Sequence, residues 1–172
     1  MNTKKIAITS VMLAFVLIIG LVESYFPPIV PVLPTLKLGL SNVIIMCSLL
    51  LLGFWQSLII MVLKCIILSI IIGNMSALIY SLPAGVVSFL VVTFLLKSGI
   101  FGFAAVSATA AAVHNIIQIF VACIVMKSSV PLIYLPYLTL FGMLTGVITG
   151  LICFYLLKKL PDKFYVRDNL QK

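Results

Sequence analysis

Charge is nearly absent from this sequence. Only 8% of its 172 residues are charged, against about 25% in ordinary soluble domains, so the chain cannot cover a water-facing surface. Acid is scarcest: Glu23, Asp162 and Asp168 are the whole supply. No G-x-x-x-x-G-K-[ST] stretch occurs, which excludes ATP hydrolysis by a P-loop and leaves any ATP dependence to partners. Cys47, Cys65, Cys123 and Cys153 form no C-x-x-C pair and have no His at metal spacing. Each lies inside an apolar run and reads as a small packing residue, so neither a metal nor a disulfide is expected. No small-x-small cleavage site follows the first apolar stretch, which ends Leu21-Val22-Glu23-Ser24-Tyr25-Phe26, so that stretch is expected to stay as a helix.

What remains is apolar. Hydrophobic residues make up 64% of the chain, in runs from near the first residue to Leu157. That leaves no separate soluble module and predicts one transmembrane domain over residues 1–172. The formal charge of +8 is not a stripe for nucleic acid. The basic residues punctuate apolar runs and gather at the two ends, the pattern of membrane topology.

Length divides the runs into spans. A crossing takes about 20 residues at 1.5 Å each, and an unbroken helix over 38–72 would reach roughly 52 Å, beyond a hydrocarbon core of about 30 Å. It must break, and Gly53-Phe54-Trp55-Gln56 is the place. The expected spans are 6–26, 38–52, 55–72, 76–96, 99–126 and 135–157, the second being short for a full crossing. Lys4 and Lys5 at one end, and Lys158, Lys159, Lys163, Arg167 and Lys172 at the other, both favour the cytoplasm. Both ends inside requires an even count, and six spans also put Lys97 inside. The fold expected is an all-α integral membrane protein of six transmembrane helices with cytoplasmic termini. Pro27, Pro28, Pro31 and Pro34 make the first outer loop stiff and extended, either a lid over the bundle or a plain linker.

Small residues recur every four positions late in the chain: Ala104, Ala108 and Ala112, then Gly142, Gly146 and Gly150. They let backbones approach closely. Ala7, Ser10 and Ala14 form a similar stripe on the first helix, for bundle packing or for docking a partner protein. Polar side chains divide by depth. Glu23, Lys37, Asn42, Asn74, Tyr80, Gln118, Tyr134 and Tyr137 fall in the outer half, with Lys64, His114 and Asn115 near the middle. The inner half is nearly bare, which suits a site open to the outside better than a pore lined throughout.

Lys64 is the sharpest of these. Nine residues from Trp55 and eight from Ile72, it is too deep to snorkel easily, and it is expected either to meet a ligand or to pair with Glu23 or backbone carbonyls. His114 and Gln118, four apart, share a helical face, with Asn115 adjacent, and together could read hydrogen-bonding groups. Lys37, where the proline loop re-enters the membrane, is a ligand contact or an interfacial anchor. Should these cations converge, the ligand carries negative charge, with Tyr, Phe and Leu around its apolar or aromatic body.

Several stretches resemble a known family. Glu23-Ser24 closing the first helix, the proline loop, Lys37-Leu38-Gly39-Leu40-Ser41-Asn42, Leu82-Pro83-Ala84-Gly85 and Val113-His114-Asn115-Ile116-Ile117-Gln118 are similar to the Gx transporter family. That family is also labelled heptaprenyl diphosphate synthase component I, and it sits among the substrate-binding S components of energy-coupling factor (ECF) transporters. The resemblance implies a bacterial, multi-pass cell-membrane protein with an S-component bundle. Such a protein captures a vitamin or similar nutrient outside and works with a membrane T component and two cytoplasmic ATPases. It would assign gating to the loop at 27–35 and T-component docking to the face of Ala7, Ser10 and Ala14. That face departs from the alanine-x-x-x-alanine pattern often seen there, because Ser10 stands where the first alanine would. The synthase label meets a chemical objection: prenyl condensation uses Mg²⁺ on clustered carboxylates. Here Glu23 is remote from Asp162 and Asp168, and no aspartate-rich motif exists.

The expected function is therefore that of an S component and not an enzyme, with no cofactor, catalytic residue or resident metal. Its substrate would be a small anionic, partly apolar nutrient, an isoprenoid or quinone precursor if the label reflects pathway association. The binding residues expected are Glu23, Lys37, Asn42, Lys64, Tyr80, His114, Asn115 and Gln118. Two other classes stay open: a stand-alone secondary carrier, which would usually show inverted repeats, and a membrane anchor for an enzyme or redox complex.

Overall fold

Every regular element among the residues that the computed structural model describes, 3–25 and 41–159, is helical. The elements are α1 (Thr3–Tyr25), α2 (Ser41–Leu52), α3 (Phe54–Ile72), α4 (Met75–Ser98), α5 (Phe103–Met126), a 3-10 turn (Val130–Tyr134) and α6 (Leu135–Lys159). Five stretches are long and apolar enough to cross a membrane: Lys5–Tyr25, Phe54–Ile72, Met75–Ser98, Phe103–Met126 and Val130–Lys159. α2, at 12 residues, spans about 18 Å. Positions 38–40 of the expected second span, the proline loop and Lys37 lie outside the described residues. The bundle's outer faces carry large apolar side chains, among them Phe94, Ile124 and Leu144, as lipid contact requires. The chain is a multi-pass membrane protein.

Glycine and asparagine set the helix boundaries. Gly53 sits at φ +90°, ψ −178°, a conformation open essentially to glycine alone, so α2 ends and α3 starts within one residue. The Ser48 hydroxyl donates to Ser57 Oγ across this corner at 3.0 Å. Gly73 closes α3 in the left-handed region, and the Asn74 side chain accepts from Ala77 N–H to open α4, satisfying one of the helix's orphan donors. The fifth helix starts later than the expected position 99. Gly99 is instead the left-handed end of α4, its N–H returned to Leu96 C=O, and α5 begins at Phe103.

α5 and α6 pack backbone to backbone. A methyl group on Gly146 would lie 2.7 Å from Ala108 Cα, and one on Gly150 2.7 Å from Ala104 Cα. The two small-residue series thus meet each other. Ser107 and Thr149 hydroxyls pair across the seam at 2.9 Å.

Apolar packing fills the half of the bundle that holds the α2–α3 corner. Val16, Leu49, Leu52, Ile60 and Phe89 form one cluster. Val106, Cys153 and Leu157 close on Val43, Met46 and Cys47 of α2 in another. The Cys47 and Cys153 Sγ atoms are 2.9 Å apart, both as free thiols in the core.

Candidate functional site

The opposite half of the bundle is hollow. A cavity of about 400 Å³ is lined by all six α-helices, from Gly20, Glu23 and Ser24 on α1 to Thr145 and Thr149 on α6. It occupies the end where α1 finishes, α2 begins and Asn74 joins α3 to α4. Its size is that of a small-molecule site, and members of the two apolar clusters, Met61 and Phe89 of one and Met46 of the other, form part of its wall.

The helices bring polar groups to this space for local reasons. α3 presents Met61, Lys64, Cys65 and Leu68, and α4 presents Ala77, Ser81, Gly85 and Ser88, three or four apart, so each set shares a helical face. The Lys64 ammonium donates to Asn42 Oδ1 at 3.0 Å, leaving the cation at the cavity wall. Glu23, 4% exposed, accepts at Oε2 from the Ser41 hydroxyl at 2.9 Å and from Ser41 N–H at 3.4 Å. A carboxylate at the first residue of α2 is favoured by the unpaired N–H groups and dipole of that helix.

On α5, His114, Asn115 and Gln118 all line the cavity, but they do different work. His114 Nδ1 is 3.5 Å from Ser88 Oγ. The Ser88 hydroxyl has one proton, and when that proton goes to Gly85 C=O, 3.1 Å away, the contact with His114 needs a proton on Nδ1. Asn115 Nδ2 donates to Leu138 C=O at 2.7 Å, clamping α5 to α6. Gln118 is buried and lines the cavity.

Of the residues expected at the site, Glu23, Asn42, Lys64, His114, Asn115 and Gln118 thus line one cavity, while Lys37 lies outside the described residues. Tyr80 is not among the lining residues. It precedes Ser81, which is, so it points about 100° off the cavity face of α4. Of the Tyr, Phe and Leu expected around an apolar body, Phe89 and Leu68 line the cavity beside Ile45, Met46, Met61 and Val92, while no Tyr does among the described residues. Sequence reasoning missed the hydroxyls of Ser81, Ser88, Thr145 and Thr149. Their signal was helical spacing, obscured because an intramembrane Ser or Thr commonly bonds its own helix, as Thr145 does to Gly142 C=O and Thr149 to Gly146 C=O. Among the described residues no three of His, Cys, Asp and Glu gather as metal ligands.

Ala7, Ser10 and Ala14 stand apart from the cavity, exposed on the outside of α1. Val16, Gly20 and Glu23 are the buried positions of that helix.

Residues 12–156 match the family described as heptaprenyl diphosphate synthase component I, and the chain belongs to that family. The word component implies a partner subunit. No curated protein and no solved structure matches the chain.

Proposed function

Proceeding from that membership, we propose that the chain is the substrate-binding S component of an ECF-type importer. It crosses the membrane six times with both ends in the cytoplasm, takes a small anionic, partly apolar molecule from the extracellular side, and passes it inward with a T component and two ATPases. The observation that carries this reading is the cavity: enclosed by six helices, bounded by apolar packing at one end, and bearing Lys64 on its wall. An intramembrane cation is costly and marks a ligand or ion pathway by default. The apolar side chains suit the rest of such a ligand.

The role proposed is binding rather than catalysis, with a synthase activity left to other components. Three acids in the whole chain, two of them far in sequence from Glu23, argue against a carboxylate cluster for Mg²⁺. The exposed stripe of Ala7, Ser10 and Ala14 supports docking of a partner over packing within the bundle.

Native mass spectrometry of detergent-purified protein is the direct test. The expected result is a retained low-mass anion that Lys64→Ala loses, with a T component and ATPases recovered from mild detergent. Equal retention by wild type and Lys64→Ala would remove the central residue of this reading. Recovery with an enzyme and no ligand would favour an anchor subunit, and transport by the lone chain in liposomes a stand-alone carrier.

A further inference from the structure

Four amide side chains line the cavity, and three have work inside the protein. Asn42 holds Lys64, Asn74 caps α4 and Asn115 clamps Leu138. Gln118 is the fourth. It is 6% exposed, yet its amide makes no hydrogen bond among the described residues. No fully buried side-chain nitrogen or oxygen among those residues lacks a partner, so the Gln118 amide atoms still reach open space, and the space they adjoin is the cavity. An amide withdrawn from bulk water without a partner is destabilising. Retaining one in a membrane helix makes sense where something else completes it.

We propose that Gln118 is the specificity-determining residue of the cavity and that the ligand presents an N–H and a C=O on one edge, as a primary carboxamide, lactam or ureide does. A glutamine amide offers one acceptor oxygen and an NH₂ donor side by side, and a carboxamide-type edge presents the reverse pair at the matching spacing, answering both with two parallel bonds. A carboxylate would answer the donor alone, and an ammonium the acceptor alone. Combined with the proposed anion site, on which this inference rests, the ligand class becomes an aliphatic acid with an amide-type edge at its far end. Lys64 and Gln118 stand on different walls, α3 and α5, with α4 packed against both, so one molecule spans between them. Phe89 is the one Phe, Tyr or Trp among the described lining residues, which are otherwise mostly aliphatic or small, and this argues for an aliphatic body over a stacked ring system.

The test uses the full-length protein in detergent and ω-carbamoyl alkanoates of roughly four to eight carbons, a size that such a cavity admits. Each is compared with its N,N-dimethylamide and methyl ester by thermal shift and titration. Wild type is expected to prefer the primary amide of the fitting length roughly 100-fold, since a site built to hydrogen-bond rejects analogues that leave it unpaired. Gln118→Leu should lose that preference yet unfold at the same or a higher temperature without ligand; a structural amide would give a lower one. Equal binding of amide and ester by wild type, or a preference that survives Gln118→Leu, overturns the edge reading while Lys64-dependent anion binding stands. If no acid binds and Lys64→Ala changes nothing, the anion site fails and this inference with it.

Discussion

The Lys64 ammonium reaches from the middle of α3 to donate to Asn42 Oδ1 at 3.0 Å. One residue earlier, Ser41 donates to Glu23 of α1. The first turn of the short helix α2 is thus held from two sides, by a carboxylate on its N–H and hydroxyl and by a cation on its side-chain carbonyl. The same two charged side chains border the cavity, so the anchoring of α2 and the polarity of the site have a common origin.

Replacing Lys64 with Met keeps the length of the side chain and removes the charge. The fold should survive, because Lys64 is only half-buried at the cavity wall and the charged hydrogen bond it loses to Asn42 is worth about 1.5–3 kcal/mol. Affinity for an anionic ligand should fall by about 2–5 kcal/mol, the cost of truncating one partner of a buried charged pair. Paired titrations of wild type and Lys64→Met check it, and a large drop in melting temperature without ligand would show the lysine to be structural instead.

Glu23→Ala removes the acceptor for two donors of Ser41, one of them a backbone N–H that has no partner within α2. A loss of about 1–3 kcal/mol is expected for leaving such groups unsatisfied, read as a lower unfolding temperature. Glu23→Gln, which keeps an acceptor oxygen, should recover part of it.

Much of this arrangement was legible in the sequence. The break at Gly53 followed from the length of a bilayer, and the polar half of the bundle from the depth of each side chain in its span. Spacing alone could not orient α4, where Ser81 lies on the cavity wall and the adjacent Tyr80 off it, because packing against α3 and α5 decides which face turns inward. Nor could it sort the α5 amides. Asn115 and Gln118 look equally suited to a ligand until Leu138 C=O is found beside the first. The small-residue stripe of α1 was ambiguous for a related reason, since an exposed small residue and a packed one read alike in sequence.

Two glycines should respond to substitution for different reasons. Gly146→Val drives a side chain into Ala108 Cα and Ser107 C=O, where the added Cβ alone would lie 2.7 and 2.8 Å away. Backbone cannot yield as a side chain would, so at least about 1–3 kcal/mol is expected, with separation of α5 from α6. At Gly99 nothing lies within 4 Å, but φ is +66°, so Gly99→Ala should cost only about 1–2 kcal/mol of backbone strain. Unfolding temperatures of the two variants in one detergent give the order.

Asn115→Ala should separate structural from ligand-facing polarity on α5. It deletes the hydrogen bond to Leu138 C=O and is expected to lower stability by about 1 kcal/mol. Its preference among amide and ester probes should match wild type, the reverse of the pattern expected for Gln118→Leu.

The outer face of α1 offers a test of the partner. Ala14 is exposed while Val16, two positions on, is fully buried, a turn of about 200° around the helix. Bulk added at Ala14 therefore projects away from the bundle and leaves Val16, Gly20 and Glu23 undisturbed. Ala14→Trp should fold and bind ligand as wild type does, because nothing in the cavity changes. A close-packed contact between small residues on α1 and another membrane helix would be blocked, since such contacts depend on backbone approach. The expected outcome is loss of the T component and ATPases from the purified complex, and of uptake in cells, with ligand titrations unaltered. Recovery of the intact complex with Ala14→Trp would move the docking face elsewhere on the bundle.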